Sequence, residues 1–268
     1  MIRIFYYLFL LAISSFSIVM IIIVSILWRY GNSLPDYKQL KSYKPPMVSR
    51  LYTQDGKLLE EYSVENRVYI PISAVPKTVI EAFLVTEDKN FYKHEGIDFK
   101  GVSRAIIQNL INIIKDKRLV GASTITQQVA KNFLLNNEVS FERKIKEALL
   151  ALRIERTLSK DKILELYLNE IFLGFRSYGI VTAAQNYFNK SINELTLSEI
   201  AFLAGLPKAP NNYNPITNVN AAKARRNYVL KRMIEEGIVH RIDAESALRE
   251  DITINKRSVE EYLDAPYF

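Results

Sequence analysis

The sequence predicts a mainly α-helical fold held on an N-terminal transmembrane helix, with a short β-hairpin near its start. From Ile4 to Trp28 no residue is charged, and about 20 apolar helical residues already cross the hydrocarbon core of a bilayer. From Val75 onward, apolar residues recur at three- and four-residue spacings with few Gly or Pro, which is the period of a helix and not of a strand. Between these regions lies VSRLYTQDGKLLEEYSV, two β-rich runs around Asp55-Gly56, and an Asp-Gly pair between such runs is a strong hairpin-turn signal.

Residues 1–30 are expected to form a cytoplasmic tip and the membrane anchor. Trp28, Arg29 and Tyr30 have the character of an interfacial belt and not of a small-residue cleavage site, which argues against a cleaved signal peptide. Arg3 flanks one side, whereas Arg29, Lys38, Lys41 and Lys44 flank the other. The count of positive charges, taken alone, would therefore place the main domain inside the cell. Residues 31–46 are polar, end in Pro45-Pro46, and suit a short stalk. The main domain spans residues 47–250, and residues 251–268 look like the start of a linker. Within the domain, FERKIKEALLALRIERTL forms one clear helix. KDKILELYLNEIFLG forms another, capped by Ser159, with Asp161 in its first turn and Gly174 near its end.

Composition limits the chemistry. The 268 residues are 49% hydrophobic, ample for a core. A formal net charge of +7 favours an anionic partner such as nucleic acid, acidic lipid or a phosphate-bearing substrate. The absence of Cys excludes disulfides, thiol catalysis and Cys-ligated metals. In FKGVSRAIIQNLINIIKDKRLVG, Ile106, Ile107, Leu110, Ile111, Ile113 and Ile114 share a broad apolar face flanked by Arg104, Lys115, Lys117 and Arg118. Such a helix can lie in a lipid interface with its cations on phosphates; periodicity alone favours a core helix with a solvated basic end.

Three strings carry chemistry. EDKNFYKHEGID, Glu87 to Asp98, sets two carboxylates beside Phe91, Tyr92 and His94. Neighbouring helical residues point about 100° apart, so only one of Glu87 and Asp88 can face a given substrate atom. A Glu among aromatic rings and a like charge has its proton affinity raised, which suits a general base. The bland readings are a solvated Glu-Asp face and a structural His. GASTITQQVAKNFLL offers Ser123, Thr124, Thr126, Gln127, Gln128, Lys131 and Asn132, neutral donors and one cation suited to sugar hydroxyls and phosphate oxygens. A helix cap at Ser123 or Thr124 explains part of it. Arg143 and Glu147 are four apart, with Lys144 alongside. They form either a surface ion pair of little worth or a carboxylate that orients two cations toward a diphosphate.

With KDKILELYLNEIFLG and AFLAGLPKAPNNYNP, these strings make five motifs in order across residues 87 to 215. In them the chain resembles the peptidoglycan glycosyltransferase domain of bifunctional class A penicillin-binding proteins, glycosyltransferase family 51. The resemblance implies a phage-lysozyme-like fold that polymerises lipid II into β-1,4 glycan strands outside the cytoplasmic membrane, with inversion at C1 and release of undecaprenyl diphosphate. It makes Glu87 the general base, Glu147 the second catalytic Glu, and Lys131, Arg143 and Lys144 the diphosphate-neutralising cations. Asp88, Phe91, His94, Ser123, Thr124, Gln127, Gln128 and Asn132 become expected substrate contacts. The basic amphipathic stretch falls where the family has a flexible, membrane-dipping jaw.

The chemistry itself requires no cofactor, but Mg²⁺ or Mn²⁺ would fit a diphosphate, with Glu147 as candidate ligand. The implied partners are lipid II, the nascent glycan strand, membrane lipid and other cell-wall synthesis proteins, not nucleic acid. The implied location is the bacterial inner membrane, single-pass, with the catalytic domain on its extracytoplasmic face. Class A members continue into a transpeptidase domain. Ser159 and Lys162 share the Ser-x-x-Lys spacing of its nucleophile, but they open the fourth motif and no Lys-Thr-Gly follows. Ser159 is therefore expected to be a cap and the transpeptidase to be missing. Two rival readings are a lysozyme-like hydrolase or lytic transglycosylase, which needs no cation cluster, and a truncated nonenzymatic membrane scaffold.

Overall fold

The computed structural model describes residues 2–43, 49–52, 58–62, 68–117, 120–136, 138 and 140–255. Lys44, Pro45-Pro46, the Asp55-Gly56 turn, Arg118 and most of the expected linker lie outside the described residues. Helix α1, Ile2–Gly31, carries the long apolar run on an exposed surface. It is long and apolar enough to span a bilayer. Strands β1, Ser49–Tyr52, and β2, Leu58–Tyr62, run antiparallel with Ser49 opposite Tyr62.

Nine further helices are described: α2, Lys77–Glu87; α3, Phe99–Ile114; α4, Ile125–Leu134; α5, Phe141–Glu155; α6, Lys160–Glu170; α7, Ile180–Phe188; α8, Leu197–Gly205; α9, Val219–Glu235; and α10, Arg241–Arg249. Their starts follow local chemistry. Asp98, Thr124, Ser140, Ser159, Thr196 and Asn218 each accept a backbone N–H of the first turn, satisfying donors that the helix cannot. Ser159 is thus the expected cap.

Helix α6 is the centre of the domain. Every residue from Ile163 to Glu170 is buried, and α4 packs on α5 and α6 while α8 packs on α2 and α9. Three polar side chains on α6 are buried with partners. Glu165 accepts from Tyr69, Lys162 and the Ile72 amide, and Glu170 accepts from Tyr43. Asn169 clamps the Ile70 backbone at both groups, accepting from its N–H at 2.8 Å and donating to its carbonyl at 2.9 Å. These bonds fasten the incoming chain to the core helix. Helix α1 is tied in as well, because Arg153 on α5 donates to the Gly31 carbonyl at 3.1 Å.

Two expectations are corrected. Helix α6 stops at Glu170, four residues before Gly174: Phe172 pairs with Tyr178 and Leu173 N–H bonds to Ser177, so Gly174 turns a loop instead of closing the helix. Helix α3 is not a core helix. Its buried residues are Ala105 and Asn112, whereas Ile106, Ile107, Leu110, Ile113 and Ile114 are all more than half exposed.

Replacing Asn169 by Ala leaves the Ile70 amide and carbonyl without partners. It is expected to lower unfolding stability by about 2 kcal/mol, the scale of orphaned buried polar groups. Denaturant melts of the detergent-solubilised chain measure it.

Candidate active site

Glu87 is the last residue of α2, and Asp88 leaves the helix at φ −157°. The two carboxylates therefore diverge because the chain turns between them, not through the 100° step of a continuing helix. Asp88 turns inward. It accepts from His94 Nε2 at 3.0 Å and from the Ile125 amide at 2.9 Å. The Gly96 amide donates to His94 Nδ1, so that nitrogen holds a lone pair and Nε2 carries the proton given to Asp88. Gly96 has φ +93°, and a Cβ there would meet the Ala151 carbonyl oxygen at 2.8 Å. Only glycine lets this loop lie on α5.

The second string locks onto the first. Thr124 and Gln127 form a reciprocal capping box on α4, and Thr124 Oγ1 also donates to the Gly96 carbonyl at 2.6 Å. Gln127 is therefore explained by the cap, contrary to expectation. From the next position Gln128 Nε2 donates to Glu87 Oε2 at 3.0 Å.

A cation cluster lies on α5. Glu147 on α5 is buried, with Arg143 Nε 3.0 Å from its Oε1 and Lys144 Nζ on its Oε2. Lys144 also donates to Ser123 at 3.0 Å and remains about half exposed. A cavity of about 230 Å³ runs past Glu87 and Ser123, with Lys89, Arg104, Gln108 and Arg232 on its walls.

The expected site residues separate into two groups. Gln128 contacts Glu87, and Ser123, Lys144, Glu147 and Arg143 form a second set of contacts, with Glu87 and Ser123 lining the same cavity. Lys131 and Asn132 follow Gln128 by one turn of α4, the first half-buried and the second exposed. Asp88, Phe91, His94, Thr124 and Gln127 have structural duties, and of these Asp88 and Thr124 also line the cavity. Phe91 is wholly buried under Lys160, which lies 4.4 Å from its ring centroid. The other four each make side-chain hydrogen bonds within the fold. They position the site.

A family model described as a transglycosylase matches residues 55–234. The chain belongs to the transglycosylase family. It is 53% identical over 247 residues to penicillin-binding protein 1A of Rickettsia bellii strain RML369-C, covering 92% of this chain and 31% of that protein. Penicillin-binding protein 1A of Neisseria flavescens is 49% identical over 232 residues, covering 87% of this chain and 29% of its own. A crystal structure of penicillin-binding protein 1A from Haemophilus influenzae is 31% identical and covers 81% of this chain and 22% of its own, with a TM-score of 0.46. The chain spans less than a third of the length of these relatives.

Within this transglycosylase domain, burial raises the proton affinity of Glu87 above its ordinary value. The Gln128 hydrogen bond, Arg225 and Lys208 pull it back, and Asp88 adds repulsion. The expected direction is present, but desolvation causes it, with the like charge a smaller contribution. Sequence reasoning missed Arg225, Lys208 and Tyr167 as neighbours of Glu87. Tyr167 is buried with no hydrogen-bond partner for its hydroxyl among the described residues, and burial with Glu87 and Asp88 nearby pushes its phenol well above the usual value. Lys208 and Tyr167 sit inside quoted motifs, so their signal was present; Arg225 lies beyond all five.

The donor set around Glu147 does not suit a divalent cation. Both carboxylate oxygens face cationic nitrogens, which would repel a metal. Among the described residues no group of three His, Cys, Asp or Glu is gathered.

Glu87 also predicts a pH-dependent stability. Its affinity for a proton rises on folding, so ionisation destabilises the native state as pH climbs from the ordinary carboxylate pKa, ~4.3, through the raised native value. The penalty then persists at higher pH. Glu87→Gln should melt higher than wild type at pH 8 and lose that advantage at pH 4, measured by thermal unfolding at both values.

Proposed function

We propose that the domain is a peptidoglycan glycosyltransferase that polymerises lipid II. The observation that carries this is Glu87: a desolvated carboxylate on the wall of a cavity that is also lined by Ser123, which accepts from Lys144 of the Arg143–Glu147–Lys144 cluster. Acid-base chemistry and stabilisation of an anionic leaving group are thereby brought side by side.

Glu87 takes the proton from the 4-hydroxyl of the acceptor sugar. Its Oε2 already accepts from Gln128, so Oε1, which accepts no hydrogen bond among the described residues, receives the proton. The acceptor oxygen bonds to C1 of the lipid-linked donor as the bond from C1 to the diphosphate oxygen breaks. Attack opposite the leaving group inverts α to β. An inverting glycosidase places a water between base and sugar; here the acceptor hydroxyl occupies that position. Lys144 and Arg143, held by Glu147, neutralise the departing undecaprenyl diphosphate, with Lys131 adding a third cation. This assignment replaces a Glu147-bound metal with side-chain cations.

The remaining pieces agree. The fold is proposed to be phage-lysozyme-like, with β1 and β2 closing into a hairpin and the catalytic domain bounded near residues 47 and 250. Helix α1 anchors the chain in a single pass, and the domain acts on the extracytoplasmic face. The exposed isoleucines of α3 enter the lipid interface beside Arg104, Lys115 and Lys117. Cations in the cavity and the cluster suit a lipid diphosphate and anionic membrane, not a nucleic acid.

On purified lipid II, wild type should lengthen glycan strands and Glu87→Gln should lose at least about 10²-fold in kcat/KM, roughly 2.7 kcal/mol. Lys144→Ala should also slow polymerisation, and a chelator should leave the wild-type rate unchanged. Product chain length by gel separates outcomes: cleaved strands would support the hydrolase, and a fully active Glu87→Gln would remove the base from Glu87.

A further inference from the structure

Outside the motifs, Arg225 is aimed at the catalytic carboxylate. It projects from α9, with Nη2 3.9 Å from Glu87 Oε1 and a side chain only 10% exposed. Its guanidinium is held from several directions. Nε donates to the Gly205 carbonyl at 2.9 Å. The guanidinium carbon lies 4.9 Å from the Tyr228 ring centroid and 5.8 Å from that of Tyr213, and cations near aromatic faces are attracted by the ring quadrupole. Gly205 makes room for the stem, since a Cβ there would meet Arg225 Cγ at 3.0 Å.

We propose that Arg225 is the positioning residue of the base: Gly205, Tyr213 and Tyr228 hold its guanidinium outside hydrogen-bond range of Glu87 Oε1, where it orients and charges that oxygen without occupying it. The proposal rests on the assignment of Glu87 as base. The separation matters. A bidentate guanidinium–carboxylate pair would cover the proton-accepting oxygen and strongly favour the ionised form. With no cation, burial would favour the protonated form more strongly. At 3.9 Å the field acts while the oxygen stays open to a hydroxyl. Gln128 fixes Oε2, so the two contacts hold both ends of the carboxylate.

Four titratable groups face Glu87: Asp88 from the same segment, Tyr167 from α6, Lys208 after α8 and Arg225 from α9. Lys208 is also a cation, so removing Arg225 weakens the field without abolishing it.

The test is the acid limb of kcat/KM for lipid II polymerisation, which reports the base in the free enzyme. Arg225→Gln should move the limb to higher pH by about one unit, the effect of a unit charge at ~4 Å in a water-like dielectric. Arg225→Lys, which keeps the charge, should move it less. Gly205→Ala keeps Arg225 but crowds its stem, and should move the limb in the direction of Arg225→Gln. Melting curves establish that each variant is folded; should Arg225→Gln fail to fold, the other two variants decide.

A second readout needs no turnover. The Glu87 carboxyl carbon resonance, assigned by its loss in Glu87→Gln, should titrate at higher pH in Arg225→Gln. Limbs and midpoints that stay at the wild-type value overturn the proposal, as does Arg225→Lys shifting as far as Arg225→Gln. A moved midpoint in a chain whose wild type makes no glycan would retain the role of Arg225 and discard the glycosyltransferase reading.

Discussion

The carboxylate of Asp88 is the constraint on which the site depends. It accepts from His94 on its own loop and from the Ile125 amide at the start of α4, binding a loop and a helix that lie 37 residues apart in the chain. Thr124 adds a second tie through the Gly96 carbonyl. With both ties made, Gln128 reaches Glu87 and Ser123 reaches Lys144. A charged acceptor with a buried amide and an imidazole donor is stronger than a neutral pair, and its burial ensures that water does not compete. The positions of Glu87 and Lys144 are thus set by neighbours whose own bonds lie within the fold.

That arrangement separates duties between adjacent residues. Asp88 is stabilised by donors and serves geometry, whereas Glu87 has, among the described residues, one hydrogen bond, one distant guanidinium and a desolvated surround. Supplying Glu87 with as many donors as Asp88 would make a more stable protein and a poorer base, because hydrogen bonds to the ionised form depress proton affinity. The unpartnered Tyr167 hydroxyl beneath the site belongs to the same imbalance. Polar satisfaction is nearly complete in the supporting layer and incomplete where a proton has to move.

Much of this was legible in the sequence because it is local. Helix periodicity, the Ser159 cap and the four-residue offset of Arg143 and Glu147 depend on residues within a turn or two. The grouping of Glu87 with Gln128 and Lys144 came from motif order. Less legible are side chains with two plausible duties: Thr124 and Gln127 satisfy α4, and Phe91 and His94 satisfy their loop, which no polarity pattern distinguishes from substrate contact. Asn169 shows how far such a duty can reach, its amide serving the Ile70 backbone from 99 positions away. Arg225 was invisible for another reason. Its helix packs against α8 and α2, and only that packing turns one of two consecutive arginines toward Glu87 while Arg226 is buried on Ser198 and the carbonyls of Leu248 and Glu250.

The charge balance of the Arg143–Glu147–Lys144 cluster carries the argument toward the leaving group. Two cations share one buried carboxylate, so the cluster keeps one net positive charge, and Lys131 has no salt bridge among the described residues. A departing diphosphate gains negative charge as its bond to C1 breaks, and preorganised cations stabilise such a group most where charge develops. Fully neutralising the cluster with a second carboxylate would remove that preference, whereas removing Glu147 would leave Arg143 and Lys144 repelling each other and free to turn toward solvent. One carboxylate for two cations holds them in place and leaves charge for the substrate. On the proposed reaction, Glu147 would act through the cations it aligns, with no need to touch the substrate itself.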